Sequence, residues 1–271
     1  MIPYPFHYHR PLTLAEAEAL FSRSHDPKFL AGGQTLITVM KQRLAGPSDL
    51  IDLSGLTELS FIARRGTDIA IGAGARHCDV ANSADIRGCI PALAALAEGI
   101  GDPAVRHRGT LGGSLANSDP AADYSAAVLG LGATIATARR TIDADGFFLG
   151  MFQTGLDDGE IITEVVFPIP ERAGYAKFPN PASHYAIVGV FVASWKTEVR
   201  VAVTGATPCP FRATAIEDAL SRRFHPDAVV GISIPAEGLN ADLHASAEYR
   251  SHLITVMAKR AVATALRDES A

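Results

Sequence analysis

Cysteine is scarce in this chain. Its 271 residues hold three, Cys78, Cys89 and Cys209, and no two of them form a Cys-x-x-Cys pair. An iron–sulfur cluster takes about four thiolates, so the chain by itself is not expected to carry one. The three read as reduced, mostly buried thiols. Long basic runs are missing too, and the formal net charge is −5, which argues against a nucleic-acid surface. No apolar run approaches the ~18 residues of a spanning helix. The opening MIPYPFHYHR lacks the basic start and apolar stretch of a secretory signal. A cytoplasmic location is expected. Two nucleotide signatures are also absent. There is no Gly-Lys-Ser/Thr phosphate loop. Ile71-Gly72-Ala73-Gly74-Ala75-Arg76 supplies a Gly-x-Gly, but Cys78 or Asp79 stands where the third glycine of the dinucleotide fingerprint belongs. A buried strand-to-helix turn accounts for those glycines.

What is present is the composition of a folded α/β chain, 48% hydrophobic and 20% charged. A helix over residues 13–24 is signalled by Thr13 and Glu16 in a capping box, with Leu14, Ala17 and Leu20 on one face. Strands are expected at 28–31 and 50–53, with a helix over 35–44 stopped by Gly46-Pro47. A strand at 69–72 precedes helices near 78–82, 91–100 and 121–131. Residues 101–120 read as a glycine-rich loop. Short strands follow at 134–137 and 161–167. Pro168 and Pro170 mark a boundary, beyond which 186–191 and 199–204 read as strands and 245–266 as a long closing helix.

Three segments carry candidate chemistry. In Ala31-Gly32-Gly33-Gln34-Thr35-Leu36-Ile37 a strand ends, two glycines turn the chain and a helix begins. Free backbone N–H groups there can donate to phosphate, glycine permits close approach, and Gln34 and Thr35 add side-chain donors. An ordinary tight turn gives the same letters. The second segment, residues 109–123, is dense in Gly, Ser, Thr and Asn. Gly112 and Gly113 leave room for a ligand, Thr110 and Ser114 offer hydroxyls, and Asp123 can accept from a ribose or an adenine amine. For Asp119 and Asp123, helix-start electrostatics is the competing explanation. Two such bends suit a ligand with two phosphates. The third segment runs from Lys177 through His184 and Tyr185 to Val190. Lys177 can set a positive charge near a ring carbonyl and Tyr185 an aromatic face beside a flavin; equally, they are a surface lysine and a strand tyrosine. His7 and His9 suggest a metal pair, but an edge-strand or partner-facing role fits better. Arg106, His107 and Arg108 flank the second bend, facing either phosphate, a partner or solvent.

Ala31-Gly32-Gly33-Gln34-Thr35-Leu36-Ile37, then Thr110-Leu111-Gly112-Gly113-Ser114, then Asp119-Pro120-Ala121-Ala122-Asp123, in this order and spacing, resemble the FAD-binding medium subunit of molybdenum hydroxylases, most of all the carbon monoxide dehydrogenase type. The likeness extends through residues 177–190 to Ala247-Glu248-Tyr249-Arg250 in the closing helix. It implies an α+β architecture: a PCMH/VAO-type FAD-binding fold over 1–168, in two α/β subdomains of about 1–55 and 56–168, and a C-terminal α+β domain of the CO dehydrogenase flavoprotein type over 169–271. It implies that residues 31–37 wrap the pyrophosphate of FAD, that Thr110, Gly112, Gly113 and Ser114 form a second phosphate and ribityl segment, that Asp123 holds the adenosine side, and that Asp119 is a further cofactor-binding residue. Ile162 would pack near the cofactor. Lys177 and Tyr185 would lie by the isoalloxazine ring, with His184 as rival to Tyr185. His184 stands where close relatives are expected to carry arginine. No metal site is implied in this chain. Molybdopterin would sit on a large partner subunit and two [2Fe–2S] clusters on a small one, in a dimer of heterotrimers, and this chain would pass electrons to an external acceptor. A free-standing flavin oxidase of the same fold, or a flavin-free interaction module, is the alternative.

Overall fold

The computed structural model describes residues 2–267. The chain first builds a small parallel unit: β1 (His7–His9), α1 (Leu14–Arg23), β2 (Pro27–Leu30), α2 (Leu36–Lys41) and β3 (Asp49–Asp52), with strand order β1-β3-β2. The expected cap sets α1. Thr13 Oγ1 accepts from the Glu16 amide at 3.2 Å, and the Glu16 carboxylate accepts in return from the Leu12 amide at 2.9 Å. Ala17 and Leu20 are buried against Ile51, Leu56 and Leu59. β1 is an edge strand. Its His9 Nε2 lies 2.6 Å from the Asp49 carboxylate, and no metal-binding cluster of side chains occurs among the described residues.

The second unit holds the largest core. β4 (Ile62–Arg65) and β5 (Asp68–Gly72) lead into α3 (His77–Asn82), α4 (Ala84–Cys89), α5 (Pro91–Glu98), α6 (Pro103–Arg106), α7 (Leu111–Asn117) and α8 (Asp123–Gly130). Then come β6 (Thr134–Thr137), β7 (Thr141–Asp143), α9 (Ala144–Phe147), the hairpin β8 (Phe148–Gly150) and β9 (Gln153–Thr154), and β10 (Ile162–Pro168). β4-β5-β10-β6-β7 is one antiparallel sheet, and Val165 and Phe167 on its central strand are fully buried. At the turn after β5, a side chain on Gly74 would meet the Leu59 carbonyl at 3.0 Å, so the Gly-x-Gly serves close packing, as the sequence suggested.

The third unit is an antiparallel sheet, β11 (Arg172–Pro179), β12 (Ala186–Ser194), β13 (Val199–Thr204) and β14 (Phe211–Arg212), with α10 (Thr214–Arg222) and α11 (Ala247–Arg267). Every residue of β12 is buried, because the strand serves two cores by alternation. Phe191 and Ala193 join the core of the second unit. Val188, Val190 and Val192 pack with Ile254, Met257, Ala258 and Ala261 of α11. Arg250, 4% exposed, ties the helix down: it donates to the carbonyls of Ile187 (2.6 Å) and Gly205 (2.9 Å) and pairs with Asp242 at 2.7 Å.

Two expectations need correction, and one strand went unread. β11 had no local signal, since its burial does not alternate cleanly; pairing along the whole of β12 makes it a strand. Residues 101–120 are not a loop, because α6 and α7 lie within them. The three thiols are free but half-buried. Among the described residues no helix is long and apolar enough to cross a membrane.

Candidate functional site

The first glycine pair lies between β2 and α2. Gly33 sits at φ +71°, the left-handed region that glycine tolerates best. The amides of Gly32, Gly33, Gln34 and Thr35 donate to no described group, and Thr35 makes no side-chain cap. Four donors thus face outward from one turn, and such groups need a partner.

The second motif behaves differently. Thr110 is the N-cap of α7, and its Oγ1 accepts from the Gly113 amide at 3.1 Å. The Leu111 and Gly112 amides donate to the carbonyls of Ala75 and Ala73, and Ser114 to that of Thr110. Main-chain donors were expected from both bends. The structure leaves them free at the first bend and, within Thr110–Ser114 of the second, only at Thr110. The Thr110 and Ser114 hydroxyls remain as donors. The reason is the pairing of Arg76 with Thr110, which stitches the second bend to the chain leaving β5.

The two bends touch. A side chain on Gly32 would collide with the Arg108 carbonyl and lie 2.7 Å from Gly109 Cα; one on Gly112 would meet Ala73 Cβ at 2.6 Å. Beside this contact opens a cavity of about 790 Å³, within the ~300–1,000 Å³ usual for cofactor sites. Of the sequence-derived candidates, residues 31–36 line it, as do Thr110, Gly112, Gly113 and Ser114, and also Asp119, Asp123, Ile162 and Tyr185. His184 lines it as well, so the two rivals lie side by side. Ile37 does not: its side chain packs back over Gly33. Lys177 does not either. A glycine-bordered cleft of this volume, with four free amides on one wall, fits a phosphate-bearing dinucleotide.

Lys177 is held elsewhere. Its Nζ lies 2.9 Å from Asp123 Oδ1 and donates to the carbonyls of Gly99 (2.8 Å) and His184 (2.9 Å). Tyr175 OH donates to the same Asp123 oxygen at 2.5 Å. Burial pushes the Asp123 carboxyl up, against the pull of the Lys177 ammonium and the Tyr175 hydroxyl. Asp123 was expected to accept from the ligand; instead one oxygen is spent on binding β11 to α8. The Lys177–His184 bond fixes the turn that presents Tyr185, where Asn180 Oδ1 accepts from Ala182 and Ser183 and His184 lies at φ +63°. Partial desolvation, then the charges of Asp119 and Asp123, push the Tyr185 phenol above its ordinary value.

Several functional neighbours were not legible. His77 lines the cavity at 5% exposure, its Nδ1 buried without a partner beside the equally unpartnered Tyr124 OH, the rings 5.4 Å apart. Burial, then the charge of Arg106, pushes its imidazole down to about 4, so it is neutral at pH 7. Glu160 also reaches the cavity. Its carboxylate takes two bonds from Arg140 (3.0 and 2.9 Å), one from Thr137 and one from the Asp157 amide, both 2.7 Å. These, led by Arg140, hold it at about 2 against an ordinary 4.5. A depressed carboxyl contributes stability above about pH 4.5 and loses it as pH falls toward 2. Arg140→Gln should therefore cost about 2 kcal/mol at pH 7 and much less at pH 3, read by urea unfolding at both values; an equal loss at the two would contradict this linkage. No periodicity or motif marks either group in the sequence.

Comparison with known proteins fits this geometry. Residues 4–170 match the family described as FAD binding domain in molybdopterin dehydrogenase, and residues 173–265 match the CO dehydrogenase flavoprotein C-terminal domain. The carbon monoxide dehydrogenase medium chain of Hydrogenophaga pseudoflava is 34% identical, over 97% of each chain. The nicotine 6-hydroxylase medium subunit of Paenarthrobacter nicotinovorans is 35% identical, over 95% of this chain and 96% of the relative. Reconstituted CO dehydrogenase from Oligotropha carboxidovorans includes a chain that superposes with a TM-score of 0.90 at 30% identity, covering 99% of this chain and 100% of that one. The likeness thus runs through both glycine bends, the cavity between them and the β11–α11 unit behind it, and the chain belongs to the FAD-binding family of the molybdopterin dehydrogenases, as an oxidoreductase subunit of the carbon monoxide dehydrogenase medium-chain type.

Proposed function

We propose that this chain is the electron-transfer subunit of a molybdenum hydroxylase with three kinds of subunit: it would receive electrons from [2Fe–2S] clusters on a small partner, after substrate oxidation at molybdopterin on a large partner, and pass them to an external acceptor. The observation that carries the reading is the single cavity between the two glycine bends. The medium chains and subunits among the relatives support it. FAD, when bound, supplies acceptance of electrons one or two at a time.

The chain's own residues then have defined tasks. The amides of residues 32–35 donate to phosphate oxygens, and the hydroxyls of Thr110 and Ser114 add donors from the other side. Asp119 adds a carboxylate to the lining, and Ile162 gives an apolar wall. Tyr185, with His184 beside it, covers the ring end, and Lys177 holds that turn in place from behind instead of touching the ring. We further propose a division into a PCMH-type unit over 1–168 and a C-terminal unit over 169–271; the two family matches, meeting near residue 171, support it.

Affinity purification of the tagged chain from its native cells tests the assembly. Molybdenum- and iron-containing partners should accompany it, most simply as a dimer of heterotrimers, and substrate should bleach the flavin only when they are present. A flavin reduced by substrate in the isolated chain would favour a free-standing oxidase instead. Tyr185→Ala should keep FAD bound and shift its midpoint potential; an unshifted potential would remove Tyr185 from the ring's surroundings.

A further inference from the structure

We propose that Arg76 and Arg108 clamp the diphosphate of the dinucleotide, and so give this cavity its preference for FAD over flavins that lack a diphosphate; this rests on reading the cavity as the FAD site. The second bend prompts the inference. Four of its amides, from Leu111 to Ser114, are spent inside the protein. Main-chain donors therefore come chiefly from the first bend, and a diphosphate held there carries one negative charge on the oxygens of each phosphate. Neutral donors on one side leave that charge uncompensated.

Two guanidinium groups stand where compensation is needed. Arg76 is paired across the backbone with Thr110, and Arg108 is the residue whose carbonyl rests against Gly32. Both spring from the chain at the contact between the bends, both are exposed, and both line the cavity. Neither guanidinium bonds any described residue. Their neighbours differ: Arg106 donates to the carbonyls of Ile100 and Gly101, Arg140 to Glu160, and Arg200 to Asp145. Of the three carboxylates lining the cavity among the described residues, Asp123 and Glu160 are matched by Lys177 and Arg140, and Asp119 accepts from the Ala121 amide at 2.9 Å and pairs with neither arginine. The free positive charge beside the bends therefore faces the ligand. A planar fork of N–H donors suits phosphate oxygens, and such charge-assisted bonds are the strong ones.

The test titrates flavin-free full-length chain with FAD, ADP and riboflavin, by calorimetry, at low and high salt. Arg76→Gln and Arg108→Gln should each weaken FAD about tenfold, weaken ADP in the same proportion and leave riboflavin unchanged. The salt dependence of FAD binding should become shallower in both, and Arg→Lys at either position should restore part of the affinity. Unchanged thermal melts, expected for exposed side chains, confirm the fold. If the unaltered chain fails to bind FAD, the reading of the cavity falls. If it binds FAD and the glutamine variants bind as well, this inference alone is overturned and the arginines belong to a protein partner's acidic surface. Equal losses for FAD and riboflavin would overturn it too.

Discussion

Gly32→Val should yield protein without flavin. A side chain at Gly32 points into the Arg108 carbonyl and Gly109 Cα, and backbone cannot step aside as a flexible side chain would. The two bends must separate, and the four free amides of residues 32–35 then lose their place opposite Thr110 and Ser114. Overpacking of this kind costs about 1–3 kcal/mol, which a three-core chain can absorb, so a folded, colourless protein is the expected result. Gly88→Ala provides the contrast. Nothing lies within 4 Å of a side chain there, and the residue is inside α4, where alanine is favoured by about 1 kcal/mol. The FAD-to-protein ratio after purification reads both. Full occupancy in Gly32→Val would mean that the contact between the bends does not shape the site.

Lys177→Met should be the most destabilising single change near the cavity. It strands the Asp123 carboxylate at 4% exposure with Tyr175 as its remaining side-chain donor. Breaking a buried pair from one side costs about 3–5 kcal/mol. The sign with pH follows from the carboxyl. Burial already pushes Asp123 above its ordinary value, and removing the ammonium raises it further. The variant's deficit should thus be largest at neutral pH and shrink as the pH falls through the raised value and the carboxyl takes up a proton. Adding Asp123→Asn should recover part of the loss. Urea unfolding of the three proteins at pH 5 and 8 decides this. A single variant no less stable than the parent at pH 8 would show that the pair carries no weight. Loss of the bond to the His184 carbonyl should also loosen the turn that presents Tyr185.

Local patterns spoke clearly where local physics decides. The Thr13 and Glu16 cap and the strand at Thr134–Thr137 lie where the letters put them, while α2 ends at Lys41, short of Gly46-Pro47, and α5 at Glu98, short of the expected residue 100. The glycine bends and their meeting were legible because a phosphate-sized gap between backbones has few solutions without a side chain. What the letters hid was non-local. β11 exists because β12 pairs with it, and no alternation marks it. α7 was hidden because its Gly112 and Gly113 read as loop, yet the Thr110 cap and burial beside Ala73 outweigh their poor helix propensity. The partnering of Lys177 with Asp123 spans 54 positions of sequence, and the Arg76–Thr110 bridge spans 34; neither distance leaves a trace in composition. That bridge decides which bend offers amides and which offers hydroxyls.

Hydrogen exchange of the main-chain amides, with and without FAD, tests the central claim most directly. The account predicts that FAD slows exchange at residues 32–35 and at Thr110 together, while residues 111–114, whose amides are already bonded within the protein, change little. Protection confined to some other part of the chain, with residues 32–35 exchanging at the same rate in both samples, would contradict it.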